Sequence, residues 1–301
     1  MALVIGGTGF VGRELVARLS ESGTPVRVMA RHLGQADAIL GHIRDIEIVK
    51  GDLLEPGSII RAIGAEDVVI YLASALASPA TDRPATELDQ RMMTNLCRAL
   101  NVPNPPLIVY LGPLCDRSKT IPPGMVARMH VEAILKESGL PNCIFRTAPI
   151  LGRWGMFFRL MHAAASRLRI IWMMRSATTP CQPIYVGDVV SYLAEACVKE
   201  NLSGREFEIA GNDVMSYQDM IELLISVLGY SRLVIPVPFD FTKSAAAFLS
   251  RCTGIPLQAV TAFMESMSVP ILQLDKSVQS EFPSIHALGY LDSIHLILKE
   301  L

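Results

Sequence analysis

The segment of this 301-residue chain with the clearest chemical purpose is Gly6-Gly7-Thr8-Gly9-Phe10-Val11-Gly12. It follows an apolar run, Ala2–Ile5, and opens an amphipathic stretch, Val11–Glu21. Gly6, Gly9 and Gly12 stand three residues apart. Between a strand and a helix, one such glycine makes the tight turn, another lets backbone N–H groups approach a pyrophosphate, and another lets helix and strand pack closely. A glycine-rich turn without a ligand is the plain alternative. The strand before and the helix after supply the context that favours a dinucleotide. A site for NAD calls for an acid about 20 residues beyond the glycines, to bond the ribose 2′-hydroxyl. Here the second apolar run, Val26–Ala30, ends in Arg31-His32. A guanidinium forks onto phosphate oxygens, so Arg31 favours NADP over NAD.

The glycine loop has to be held by a sheet. Six apolar runs of four to six residues (Ala2–Ile5, Val26–Ala30, Ile46–Val49, Val68–Leu72, Leu107–Leu111 and Cys143–Thr147) alternate with amphipathic stretches at Val11–Glu21, Ala36–Leu40, Ser58–Ile63, Thr86–Leu100 and Val126–Glu137. Continuous apolar strands alternating with helices predict a parallel sheet covered on both faces, a doubly wound α/β fold. After Thr147 the rhythm changes. Residues 148–183 read as irregular, with a helix over Gly155–Arg169, and residues 184–210 return to the sheet through a helix near Asp188 and a strand at Glu206–Ile209. Residues 211–301 are mostly helical, with an apolar stretch at Leu233–Val237. The expected division is a dinucleotide-binding domain over 1–147, rejoined by 184–210, and a smaller, mostly helical lobe from 148–183 and 211–301.

Composition narrows the function classes. The formal net charge of −2 lacks the basic excess of a nucleic-acid binder. Mean hydropathy is +0.36, yet charge, glycine or proline breaks every apolar run before the ~18 residues of a membrane span. The chain opens on a strand with no basic leader, so a cytoplasmic protein is expected. The six cysteines form no C-x-x-C pair and no zinc spacing, and there is no H-E-x-x-H. They read as reduced thiols, and no metal is expected.

The glycine loop, Gly51-Asp52-Leu53 after the third strand, Tyr71-Leu72-Ala73-Ser74 after the fourth and Tyr185-Val186-Gly187-Asp188-Val189 resemble extended and atypical short-chain dehydrogenases/reductases, a Rossmann-fold group, over Ala2–Ala210. Two shorter stretches, Arg175–Pro180 and Ala210–Tyr217, look like NmrA-like or nucleoside-diphosphate-sugar epimerase-like members. The resemblance implies a cofactor site built from Gly6, Thr8, Gly9, Phe10, Val11 and Gly12, with Asp52 and Leu53 toward the adenine and Ala73 and Ser74 along the cofactor.

The chemistry of that group uses a Tyr as proton donor and a Lys four residues later, because a phenol near pKa 10 needs a cation beside it to act at neutral pH. None of the seven tyrosines here has a Lys four residues on. On the helix after strand five, aligned by Glu132, Gly124 stands for the Tyr and Arg128 for the Lys, and strand five ends in Gly112-Pro113 where the group has Ser or Thr. Gly124 would leave space above the nicotinamide. Arg128 would hold a ribose or phosphate, or else form a surface pair with Glu132 four residues on. His130 would replace the acid, or else be a solvated histidine.

From Ser138 to Gly187 there is no Asp or Glu, but six arginines: Arg146, Arg153, Arg159, Arg167, Arg169 and Arg175. Trp154, Phe157, Phe158, Trp172 and several Met residues lie among them. Three readings fit: a site for a small-molecule substrate with an anionic group and an apolar body, in which Arg153, Arg159 and Arg175 bind the anion and Trp154 or Phe158 stacks; a peripheral contact with a membrane surface; or a packed helix with solvated arginines. Three functions follow. The first is an NADP(H)-dependent oxidoreductase lacking the Tyr/Lys pair. The second is a non-catalytic dinucleotide-binding sensor or assembly subunit, as in NmrA-like regulators and the related accessory subunit of respiratory complex I. The third is a sugar-nucleotide epimerase-like enzyme. Any of them could act as an oligomer.

Overall fold

The computed structural model describes residues 1–64, 66–75, 84–116 and 120–301. Its Val- and Ile-rich runs form β1 (Ala2–Ile5), β2 (Val26–Ala30), β3 (Ile46–Lys50), β4 (Val68–Tyr71), β5 (Leu107–Pro113) and β6 (Asn142–Thr147). Between and after them lie α1 (Phe10–Glu21), α2 (Leu33–Leu40), α3 (Pro56–Ala62), α4 (Ala85–Ala99) and α5 (Pro123–Glu137). The second half adds β7 (Ile150–Leu151), α6 (Met156–Arg167), β8 (Ile170–Met173), β9 (Pro180–Cys181), β10 (Ile184–Tyr185), α7 (Val186–Ala196), β11 (Arg205–Ile209), β12 (Met215–Ser216), α8 (Tyr217–Val227), β13 (Leu233–Pro236), α9 (Thr242–Thr253), α10 (Leu257–Ser266), α11 (Ser277–Glu281) and α12 (Tyr290–Lys299).

The main sheet runs β11-β6-β5-β4-β1-β2-β3, and every pairing in it is parallel. Strand order reverses between β1 and β4, which opens a crevice at their carboxyl ends. Strand periodicity divides the core between the two faces. Leu3, Ile5, Ile108 and Tyr110 pack with α3, α4 and α5, whereas Ala2, Val4, Val109 and Leu111 pack with α1 and α7. This is the doubly wound α/β sheet expected from the alternation.

A third cluster of buried side chains is drawn from residues 148–177 and 217–297, joined by Leu114, Met125 and Ala210 among others. The stretch 148–183 is more regular than its sequence suggests. β7 pairs with β10, β9 with β12, and β8 with β13. These strands are two to four residues long and pair with distant segments, so no local periodicity announces them. α2 and α5 each begin three residues before their expected starts, Ala36 and Val126. In α5 a proline occupies the first turn, where its missing N–H costs nothing. Among the described residues, no helix is long and apolar enough to cross a membrane.

Candidate functional site

The parallel topology carries the residues beyond each strand to one edge. The glycine loop follows β1, Arg31 follows β2, Asp52 and Leu53 follow β3, and Ala73 and Ser74 follow β4. Within the loop, Gly6 has φ +89°, a conformation that costs a non-glycine residue dearly. A Cβ there would also lie 2.9 Å from the Ala73 backbone nitrogen. A Cβ on Gly12 would overlap the Gly6 carbonyl oxygen, so Gly12 is the residue that lets α1 sit against β1. Gly9 differs. It is the N-cap of α1, has no side chain to cap the helix, and its Cβ position meets only the Gly6 carbonyl oxygen, at 3.1 Å. No acid stands in the first turn of α1. The loop is therefore a cradle with a bare helix N-terminus, which suits a pyrophosphate in shape and in sign.

The surrounding residues are ordered by their own bonds. Asp52 Oδ1 accepts from Leu54 N–H at 2.9 Å. Leu53 is buried, and its carbonyl accepts from Asn95 Nδ2 at 2.8 Å. Arg31 is exposed at the carboxyl edge, just before α2.

Arg128 does not face solvent, and Glu132 is not the partner that the structure gives it. Its Nη1 donates to the Ala73 carbonyl at 3.2 Å and its Nη2 to the Leu111 carbonyl at 3.1 Å. Its guanidinium lies 4.0 Å from the Asp89 carboxylate and over the Tyr110 ring. Glu132 is taken instead by Arg146, in a buried two-point contact at 2.6 and 3.1 Å, and Arg146 also reaches Glu206. A buried carboxylate needs a close cation; Arg146 reaches Glu132 across β6, leaving Arg128 to bridge the ends of β4 and β5.

Asp89 completes this floor. Its carboxylate accepts from Ala75 N–H at 2.6 Å and from Ser74 Oγ at 3.4 Å. Burial raises its carboxyl above the usual range, with Arg128 and these hydrogen bonds opposing. Burial also pushes the Tyr110 phenol up to about 12 and Tyr71 higher still, against the pull of Arg128. Neither phenol is poised to give a proton near neutrality.

Two expectations from the sequence are corrected here. Gly124 does not open onto free space: a Cβ there would lie 3.0 Å from Ala262 Cβ, because α10 packs over the start of α5. Phe158 offers no stacking face, being 1% exposed and stacked on His162. His130 is exposed, with Nδ1 3.1 Å from Gln90 Nε2 of α4. Two residues along α5 from Arg128, it points about 200° away around the helix.

The arginines of the acid-free stretch go to separate partners. Arg153 bonds the Glu300 carbonyl, Arg159 donates to the Thr253 carbonyl at 2.6 Å, and Arg175 lies 3.7 Å from the Asp240 carboxylate. Arg153 and Arg13 both lie against the half-exposed Trp154 ring. Gly152 and Gly155 receive the Phe10 ring, since a Cβ on either would come within 2.9 Å of it. The 152–155 turn thus closes onto the glycine loop. The signal for this clasp was the Gly152-x-x-Gly155 pair. Asp89 was legible too, as an acid in helical register with buried Met93 and Leu96. Among the described residues, no group of three His, Cys, Asp or Glu could hold a metal ion.

Comparison with known proteins agrees with this geometry. The NAD(P)H-binding family matches residues 6–150. Over residues 6–150 the chain therefore carries an NAD(P)H-binding domain, and its fold is the doubly wound Rossmann type. Its curated relatives include the NADH dehydrogenase [ubiquinone] 1 alpha subcomplex subunit 9, mitochondrial, of Arabidopsis thaliana, 25% identical over 87% of this chain and 67% of that protein. Another is the photosystem II assembly factor Ycf39 of Cyanophora paradoxa, 25% identical over 81% of this chain and 73% of that protein. Among solved structures, Citrobacter sp. triphenylmethane reductase complexed with NADP(H) superposes with a TM-score of 0.77 at 17% identity, covering 99% of this chain and 100% of that one.

Proposed function

We propose that the protein is an NADP(H)-dependent oxidoreductase that reduces an electron-poor small molecule, such as a quinone or enone, without a Tyr–Lys proton donor. The observation that carries this reading is the pair of positions 124 and 128. Gly124 is packed against Ala262, and the Arg128 guanidinium is spent on the Ala73 and Leu111 carbonyls. The absence of the usual acid is therefore built into the packing.

The residues that would hold the cofactor are Gly6, Thr8, Gly9, Phe10, Val11 and Gly12 at the pyrophosphate, Arg31 at a 2′-phosphate, Asp52 and Leu53 toward the adenine, and Ala73 and Ser74 along its length. The bound dinucleotide supplies a hydride. Arg128 and Asp89 fix the backbone of Ala73 and Ala75 beside it, as positioning residues. A quinone or enone accepts the hydride at carbon or oxygen and takes its proton from water, so no phenol is needed. Sugar-nucleotide epimerisation requires a base and acid at the sugar hydroxyl, and we expect none. Six free cysteines favour a cytoplasmic setting.

The test is rapid mixing of the NADPH complex with a water-soluble quinone. Loss of the reduced-nicotinamide absorbance supports the reading. A tight complex that never oxidises against quinones, enones or aldehydes overturns it in favour of the second reading, a dinucleotide-dependent assembly module. That second reading is favoured by two relatives aligned over most of this chain, a respiratory-complex subunit and an assembly factor.

A further inference from the structure

β8 and β13 form a two-stranded parallel sheet with one face open to solvent. Strand alternation turns Ile171 and Met173 inward and leaves Ile170 and Trp172 outside, 45% and 53% exposed. The register sets Leu233 beside Ile170 and Ile235 beside Trp172, so the outer face is apolar on both strands. A sheet face open to water is ordinarily polar. Phe248 of α9, also exposed, stands with Ile170 and Trp172 around one depression of the surface. Phe239 lies exposed beyond the end of β13. Single apolar residues on a surface are common, but a contiguous group marks a contact face.

The charge around it says what the contact is. The segments that build this face, residues 167–187 and 223–264, hold Arg167, Arg169, Arg175, Arg232, Lys243 and Arg251 but a single acid, Asp240. The whole chain carries −2, so positive charge is gathered here against an acid excess elsewhere. Asp240 is matched by Arg175 at 3.7 Å, which leaves the other cations no acid from these segments. They stand at the rim. Arg167 and Arg169 are exposed just before β8. Arg232, just before β13, donates to the Ala165 and Ser166 carbonyls at 2.8 and 3.2 Å. Arg251 is exposed three residues beyond Phe248, on the same side of α9.

We propose that this face docks on an anionic membrane surface. Trp172, Ile170, Leu233 and Phe248 enter the headgroup layer, where an indole is at home. The arginines at the rim bond lipid phosphates, which a guanidinium matches in shape and charge. A second copy of the chain fits this face poorly, because a two-fold contact would set arginine against arginine. The inference does not rest on the cofactor reading.

The test is sedimentation with vesicles of phosphatidylcholine alone and of phosphatidylcholine with about a third phosphatidylglycerol. The protein should pellet with the anionic vesicles, hardly with the neutral ones, and be released by about 0.5 M salt. Trp154→Phe leaves Trp172 as the only tryptophan, and its emission should shift to the blue on anionic vesicles. Arg169→Glu and Arg251→Glu should each weaken binding about fivefold or more, and Trp172→Ser about fivefold or more. Arg98→Glu, at an exposed position on α4, should bind as wild type. NADPH titration should be the same for all of these variants. The proposal is overturned if anionic vesicles are not bound, if neutral vesicles are bound equally, or if Arg98→Glu costs as much as Arg169→Glu. Binding to polyglutamate but not to vesicles would assign the face to an acidic protein and overturn it too, as would a dimer that Trp172→Ser dissolves.

Discussion

A Cβ on Gly124 would fall 3.0 Å from the Cβ of Ala262, so α10 occupies the space that a larger side chain at 124 would need. Contacts this close are tighter than ordinary van der Waals packing, and both partners are held by helices. Installing any side chain there requires Ala262, and with it the packing of α10 on α5, to give way by a few tenths of an ångström. The double variant Gly124→Tyr with Arg128→Lys should therefore lose about 1–3 kcal/mol or more of stability, read as a lower urea midpoint, and should gain no NADPH turnover. A stable double variant that epimerises UDP-sugars would show that α10 is not a fixed cover.

The glycines of the loop should separate binding from folding. Gly9→Ala adds a methyl at a position that meets only the Gly6 carbonyl, on the side where backbone N–H groups would approach a pyrophosphate. It should weaken NADPH binding about tenfold or more while lowering the unfolding midpoint less than Gly12→Ala does. Gly12→Ala should do the opposite first, because its methyl overlaps the Gly6 carbonyl and forces α1 off β1. Fluorescence titration with thermal unfolding distinguishes the two. Equal NADPH affinity for Gly9→Ala and wild type would remove the loop from the cofactor site.

The sheet was legible because its signals are local. Ala2–Ile5 and Val26–Ala30 are bounded by glycine, proline and charge, and their apolar runs coincide with β1 and β2. The glycine loop was legible for the same reason, since turn, strand and helix are contiguous. What was hidden depends on partners distant in sequence. Arg128 reads as a ribose or phosphate contact or as a surface pair with Glu132 four positions on, but β6 brings Arg146 to Glu132 and α4 brings Asp89 to Arg128. Gly124 reads as open space until α10, more than a hundred residues later, is laid over it. The strands between 150 and 185 pair outside their own neighbourhood, so period alone could not reveal them.

Arg31 follows β2 at the edge that also carries the glycine loop. If it receives the 2′-phosphate, Arg31→Ala should weaken NADPH while sparing NADH. A hydrogen bond to a charged group is worth about 1.5–3 kcal/mol, so the NADPH/NADH affinity ratio should fall by about tenfold or more. Titrations of both cofactors at one ionic strength check this. A ratio unchanged by the substitution would assign cofactor preference to another residue.

The last prediction concerns the buried pair beneath the crevice. Asp89 already has its carboxyl raised above the unfolded value by burial, with Arg128 as the chief opposing influence. Arg128→Met keeps much of the apolar stem but removes the charge and the bonds to the Ala73 and Leu111 carbonyls. Breaking one partner of a buried pair costs about 3–5 kcal/mol. The sign with pH follows from linkage. An acid whose folded pKa lies above its unfolded pKa favours the folded state at low pH, where it is protonated, and loses that advantage as pH rises through the folded pKa. Removing Arg128 raises the folded pKa of Asp89 further. The destabilisation by Arg128→Met should therefore be smaller near pH 5 and grow toward pH 8, with the added Asp89→Asn substitution flattening the dependence. Urea unfolding across that range measures it. A cost independent of pH would mean that Arg128 acts through its carbonyl bonds alone, and that Asp89 does not depend on it for its charge.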